Sequence, residues 1–181
     1  MLFRSATLGE QLKAVTSVAT GVNSRAELRF PDKTLTRLGS NSRFTLRGDA
    51  RTLDLNEGVM MLSVPKKMGG AKIRTAAVTA ALTGTTVEFE YSTIVDRRTH
   101  KKKEVLKVIV VEGMVDLFKT DKPRDFITVP AGKMIIMDPN GPWPAMVDVD
   151  IKRLRKTSPL LNEDDGRSEE HTSELQSPYV I

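Results

Sequence analysis

Residues 25–33 read RAELRFPDK, and runs with the same alternating pattern recur along most of the chain. Its apolar members Ala26, Leu28 and Phe30 alternate with charged residues. Because successive side chains of a β-strand point to opposite faces, this alternation predicts a strand with one dry and one wet face. The proline, aspartate and lysine that follow are typical of a tight turn. The stretch therefore predicts a strand that runs into a reversal.

Similar runs recur along most of the chain and predict an all-β fold. Residues 107–111 (KVIVV) are almost continuously apolar, which predicts a central strand buried on both faces. Many short strands of this kind close into a β-sandwich, a jelly-roll-like fold or a β-roll, because closure removes exposed edges. We therefore expect many short antiparallel strands. Further alternating apolar positions are Phe44, Leu46, Met60, Leu62 and Val64.

A helical pattern comes late, in residues 147–161. Asp148 or Asp150 can cap a short helix there, with Ile151 and Leu154 facing inward. The proline at position 159 should end it. The expected architecture is thus a β domain followed by one short helix.

The two ends of the chain differ in character from the rest. Residues 167–177 (RSEEHTSELQS) correspond codon for codon to a short-read sequencing adapter, and MLFRS at 1–5 corresponds to its reverse complement read from GTG. We expect 1–5 and 167–181 to be artefacts of sequencing that take no part in the native fold. The remaining parts are then a β domain at 6–138 and a Pro-rich linker with the short helix at 139–166. A signal peptide or membrane anchor would lie in N-terminal sequence upstream of this chain.

The composition argues against an enzyme. The 181 residues include no cysteine and two histidines, so thiolate metal sites and cysteine nucleophiles are excluded. His171 falls in the adapter-like tail, which leaves His100. One histidine can supply neither the ligand set of a metal-dependent jelly-roll enzyme nor an oriented general base. We predict no catalytic, metal-binding or cofactor-binding residues, and the jelly-roll enzyme is the least favoured alternative.

Two stretches, TGVNSRAELRFPD at 20–32 and LTRLGSNS at 35–42, resemble the signature of the FecR domain family. This resemblance implies a periplasmic or secreted cell-envelope β domain. In the best-known members such a domain relays the occupancy of a siderophore receptor to a sigma factor. The similarity spans about residues 8–137 and continues through LNEG at 55–58, VPK at 64–66, IRT at 73–75, TAALTGTT at 79–86, VEG at 111–113 and PAGK at 130–133.

The resemblance leaves two functions open. The first, which we favour, is a non-enzymatic envelope module that contacts a protein or an anionic envelope polymer. The second is the periplasmic part of a transmembrane anti-sigma regulator in siderophore and iron-uptake signalling. The complete reading frame separates them, because the first needs only a signal peptide upstream, whereas the second needs a membrane span and a cytoplasmic helical segment.

Five polar residues of the signature are candidate partner-binding residues, and each also has a structural interpretation, which we favour. An aspartate can hold a turn, an asparagine can bond the backbone, and arginines can pair with a glutamate across strands. We expect Asp32 to hold the turn and the Asn41 side chain to bond the backbone. We expect Glu27 to pair across strands with either Arg25 or Arg37.

The basic run DRRTHKKK at 96–103 lies between two predicted strands. A solvated hairpin tip is the ordinary interpretation, since charge runs are usually solvated. The alternative is that the run steers an anionic partner such as lipopolysaccharide, a wall polymer or an acidic protein surface. Nucleic acid is not expected, because the basic segments lack aromatic stacking platforms. The candidate residues are Arg97, Arg98, Lys101, Lys102 and Lys103.

Residues 83–86 (TGTT) lack the glycine spacing and the lysine of a phosphate loop, so they predict a tight turn or a bulge. Gly39 and Gly84 should tolerate alanine poorly if each has a positive φ.

Overall fold

The computed structural model describes residues 9, 11, 17–47, 51–67, 69–95, 97–98 and 100–162, together with the backbone of 179–180. This part of the chain holds fourteen strands and one helix. The strands are β1 Ser17–Thr20, β2 Ala26–Arg29, β3 Leu35–Leu38, β4 Arg43–Leu46, β5 Thr52–Ser63, β6 Ala71–Arg74, β7 Val78–Leu82, β8 Thr86–Val95, β9 Lys102–Glu112, β10 Met114–Lys119, β11 Phe126–Pro130, β12 Lys133–Met137, β13 Val147–Asp148 and β14 Tyr179–Val180. The helix is α1 Ile151–Thr157.

The long strand β5 links two sheets. Its first half pairs with β4 and, in parallel, with β6, whereas its second half pairs with β3 and β8. The first sheet runs β11-β10-β7-β6-β5-β4-β1-β14, and the second runs β2-β3-β5-β8-β9-β12-β13. The strand changes sheet at Gly58, whose φ is 97°. A Cβ added there would lie 2.4 Å from the Cα of Ser42, so only glycine fits this crossing.

The core fills the space between the sheets. Phe44, Met60, Leu62 and Leu106 are among its fully buried side chains. The predicted strands around Phe44–Leu46 and Met60–Val64 are confirmed, with apolar positions inside. The central strand is also confirmed, since β9 lies between β8 and β12 and buries Val108, Ile109, Val110 and Val111. The all-β fold with one short C-terminal helix is therefore as predicted.

The helix begins where the sequence placed it. Asp150 caps it by accepting a hydrogen bond from the backbone N–H of Arg153 at 3.0 Å. Ile151 and Leu154 pack against a second apolar cluster made by Met61, Val111, Leu160 and Leu161. In β5, Met61 points away from the core residues Met60 and Leu62, so this cluster lies on the outer face of the second sheet.

The two predicted glycine positions differ. Gly84 has a φ of 62°, and a Cβ there would lie 2.7 Å from the Cγ of Lys66. The register between β8 and β9 also shifts between Thr86 and Val87, which confirms the predicted turn and irregularity. At Gly39 φ lies outside the positive region, so the condition set for this position is not met, and the nearest atom to an added Cβ is the Val59 Cβ at 3.4 Å.

Candidate interaction surfaces

Two signature residues face each other in the middle of the β2–β3 pair. Glu27 lies opposite Arg37 in the register, and the Arg37 Nε donates to Glu27 Oε2 at 2.8 Å. Arg29, two residues along β2, donates from Nε to the other oxygen, Oε1, also at 2.8 Å. The predicted cross-strand pair is thus formed by Arg37.

Arg37 has a further role that the sequence did not indicate. Its Nη1 donates to the carbonyl oxygens of Leu160 and Asn162 at 3.0 and 3.1 Å. Its side chain is 20% exposed. Arg37 therefore ties the segment after the helix to the second sheet, which gives it a structural role of the kind expected for the signature.

The charge on Glu27 depends on these arginines. Partial burial by itself raises the pKa of this carboxyl group, but the hydrogen bonds and charges of Arg37 and Arg29 outweigh burial and lower the pKa below its usual 4.5. Glu27 is therefore ionised at neutral pH and holds the arginine that anchors the C-terminal segment.

The other signature residues lie apart from this pair. Asp32 accepts a hydrogen bond from the Thr34 N–H at 3.0 Å in the β2–β3 turn, as predicted. Asn41 lies at the opposite end of β3 with a φ of 51°, and the bond runs from its backbone N–H to the Gly21 carbonyl rather than from its side chain. Arg25 is exposed just before β2. The five residues are thus spread along the hairpin instead of forming one groove.

A buried polar contact also holds the C-terminal segment. Ser158, which ends the helix, donates from its hydroxyl to Glu88 Oε2 at 2.9 Å. Glu88 is 7% exposed and lies on β8, beside Met61 of β5. A glutamate between apolar neighbours gave no sequence signal for this role, because its partner is 70 residues away.

A buried cation, Lys119, holds the segment at 139–144. Lys119 is 6% exposed and donates from Nζ to the carbonyl oxygens of Pro139 and Gly141, both at 2.6 Å. The same Nζ lies 4.5 Å from the centroid of the Trp143 ring. Burial lowers the pKa of Lys119, and this exceeds the opposing effect of nearby aspartates. The proline-rich segment is therefore fixed to β10 by polar contacts.

The predicted basic residues lie where the sequence placed them, in the β8–β9 hairpin. Arg97, Arg98, Lys101, Lys102 and Lys103 are all exposed. His100 is exposed in the same loop, with a φ of 56°. The structure thus places the basic residues in one hairpin, β8–β9, and the Glu27–Arg37 pair in another, β2–β3.

Within the described residues no group of three or more His, Asp or Glu side chains could hold a metal ion. A shallow cleft of about 310 Å³ lies beside Arg51, Lys72 and Thr83. In the same part of the chain no helix has the length and apolar character to cross a membrane.

The fold and these surfaces define an all-β domain built on a curled mixed sheet, with exposed charges and open sheet edges. The family model described as FecR protein matches residues 16–116, which include β1 to β9. The chain belongs to the FecR family.

Two crystal structures, each of a candidate anti-sigma factor from Parabacteroides distasonis, share the fold. They match with TM-scores of 0.61 and 0.59 at 15% and 16% sequence identity. The match covers 77% of this chain and 62% or 63% of theirs, so the chain spans less than two thirds of those proteins. No curated protein matches the sequence.

Proposed function

We propose that this domain is a non-catalytic interaction module of the cell envelope, periplasmic or secreted, that binds a protein partner. The observation that carries the proposal is the FecR family match over residues 16–116. Binding of one macromolecule by another needs an accessible surface rather than a deep pocket, and the exposed edges and loops described above supply such surfaces.

The edge strand β11 fits a protein partner best. Among the described strands it pairs with β10 alone. Its five residues, FITVP, carry no charge, whereas charged residues protect the edge strand β2. Phe126 is 55% exposed and stacks on Phe118 with ring centroids 5.6 Å apart. An uncharged edge beside exposed aromatic surface suits a partner that adds a strand to the sheet.

A second function is favoured by the comparison with solved structures. The two similar proteins are candidate anti-sigma factors, and each is longer than the matched region. We propose as the alternative that this domain is the periplasmic part of a transmembrane anti-sigma regulator in siderophore and iron-uptake signalling.

Recovery of the complete reading frame from the source DNA tests the two functions first. A signal peptide directly before the domain favours an envelope module, and a membrane span after a helical cytoplasmic segment favours the regulator. Genomic confirmation of residues 1–5 and 167–181 would remove the expectation that they derive from an adapter.

Site-specific photo-crosslinking in cells then tests the β11 edge. We expect a photoreactive residue at Phe126 of the full-length protein to give one discrete adduct, which is absent when the probe replaces Arg29 on β2. Equal adducts from both positions, or none from either, would contradict the assignment of the β11 edge.

A further inference from the structure

The end of the β8–β9 hairpin extends beyond the two sheets as a ribbon of two strands. Pairing of β5 with β8 stops at Tyr91, and pairing of β12 with β9 stops at Leu106. Residues 92–95 pair with residues 102–105 and, in the described part of the chain, with no third strand. We call residues 92–95, 97–98 and 100–105 the basic arm. At about 3.3 Å per residue its paired section is roughly 13 Å long.

Charge is concentrated at the end of this arm. Residues 93–104 contain five Lys or Arg residues against two Asp or Glu residues, so three positive charges are in excess. One of the acidic residues, Glu104, accepts a hydrogen bond from the Tyr91 hydroxyl at the base of the arm. Burial, together with this bond and the negative charge of Glu104, raises the pKa of Tyr91 to about 12. The arm therefore presents a strongly positive surface.

Exposed apolar side chains lie on the outer face of the second sheet, one in the arm and one beside it on β12. Ile94 lies opposite Lys103, and its exposed fraction is 49%. Ile136 of β12 lies on the same face opposite Lys107 and is 52% exposed. The C-terminal helix covers the other end of this face, around Met61 and Val111. The uncovered end therefore combines isoleucines with Lys103 and with Lys107, of which Lys107 pairs with Glu90 at 2.7 Å on the same face.

This combination discriminates between anionic partners. A soluble polyanion is attracted by the lysines and arginines but gains nothing from aliphatic side chains, whereas a lipid surface accepts both. Lysine stems can lie along the acyl boundary while their ammonium groups reach the phosphates. A two-stranded ribbon without a third strand is also marginally stable in water, so contact with a surface would stabilise it.

We propose that the basic arm docks the domain on an anionic phospholipid bilayer, with Ile94 and Ile136 at the acyl boundary and the lysines and arginines at the headgroup phosphates. This docking is separate from the β11 edge, so its failure would leave the proposed protein partner untouched. It would fix the orientation of the domain, with the covered end of the sheet directed away from the lipid.

Vesicle cosedimentation of the full chain tests the proposal. We expect binding at low salt to vesicles of equal parts phosphatidylcholine and phosphatidylglycerol, and no binding to pure phosphatidylcholine. Each basic residue near an anionic surface is worth about fivefold in partitioning. The triple variant Lys101→Gln, Lys102→Gln, Lys103→Gln should therefore lose about a hundredfold. High salt should weaken wild-type binding.

A matched control separates the arm from general charge. Lys122→Gln, Lys152→Gln, Lys156→Gln removes the same charge from exposed positions elsewhere and should keep most of the binding. The variant Ile94→Ser, Ile136→Ser should lose severalfold. Fluorescence of the single tryptophan, Trp143, which packs against Lys119, verifies folding in every variant.

Three results would overturn the proposal. The first is absence of binding to the anionic vesicles, and the second is an equal loss in the arm triple and the control triple. The third is unchanged vesicle binding in the isoleucine variant together with equally tight binding of soluble polyphosphate, which would assign the arm to a polyanion instead of a bilayer.

Discussion

The Arg37 site and the basic arm are both cationic surfaces that the sequence marks as candidates, yet they differ in what surrounds the cations. Arg37 is 20% exposed and reaches a carboxylate and two backbone carbonyls. The lysines of the arm, Lys101 to Lys103, are exposed on a ribbon that extends past the neighbouring strands. A cation surrounded by acceptors from distant parts of the chain holds the fold together. A cation on a projecting ribbon is exposed to solvent and lies away from the packed contacts of the core.

Replacement of Arg37 by alanine should show the largest effect in this comparison. We expect a loss of about 2–3 kcal/mol in the free energy of unfolding, because hydrogen bonds that involve a charged group are lost in a partly buried place. Urea denaturation measures the loss. Arg29→Ala is the matched control, since Arg29 shares Glu27 but its side chain is 79% exposed. It should cost less than about 0.5 kcal/mol. Equal losses in the free energy of unfolding for Arg37→Ala and Arg29→Ala would mean that the partly buried arginine stabilises the fold no more than an exposed one. The Arg37 site would then not differ from an exposed cationic surface.

Replacement of Ser158 by alanine should have the second largest effect on the free energy of unfolding. It deprives the buried carboxylate of Glu88 of the serine hydroxyl, which we expect to cost about 2 kcal/mol. Thr157→Ala is the control, because this exposed hydroxyl bonds only helix carbonyls, of Arg153 and Leu154. If thermal unfolding shows the same shift for both, the contact between Glu88 and Ser158 does not hold the C-terminal segment.

The difference between local patterns and contacts across the chain explains how much of the structure the sequence could predict. The alternation in β2, the continuous run in β9 and the Asp150 cap are local patterns, and they predicted strands and helix correctly. The pair between Glu27 and Arg37 was also within reach, since a hairpin places residues ten apart face to face. The contacts of Arg37 with Leu160 and of Ser158 with Glu88 join distant parts of the chain, and no local spacing encodes them. The sequence could not decide the φ of Gly39, because a glycine at a strand end does not by itself require a left-handed backbone, and φ there lies outside the positive region.

The pH dependence of the Glu27 site should sharpen the comparison further. The folded-state pKa of Glu27 lies below 4.5, so its stabilising contribution is present above that pH and is lost as the pH falls through the folded value. We expect the stability advantage of wild type over Glu27→Gln to shrink between neutral pH and about pH 3. Urea midpoints of the two proteins across this range measure it. A constant difference would mean that the charge of Glu27 does not hold Arg37.

The smallest effect on stability is expected in the arm. The triple variant Lys101→Gln, Lys102→Gln, Lys103→Gln should change the free energy of unfolding by less than about 0.5 kcal/mol, because surface substitutions away from packed contacts are nearly neutral. Urea denaturation in the absence of lipid makes the measurement, with Arg37→Ala as the reference. A loss as large as that of Arg37→Ala would mean that these lysines stabilise the folded chain. The arm and the Arg37 site would then be one kind of surface, and the exposure of a cation would not indicate its function.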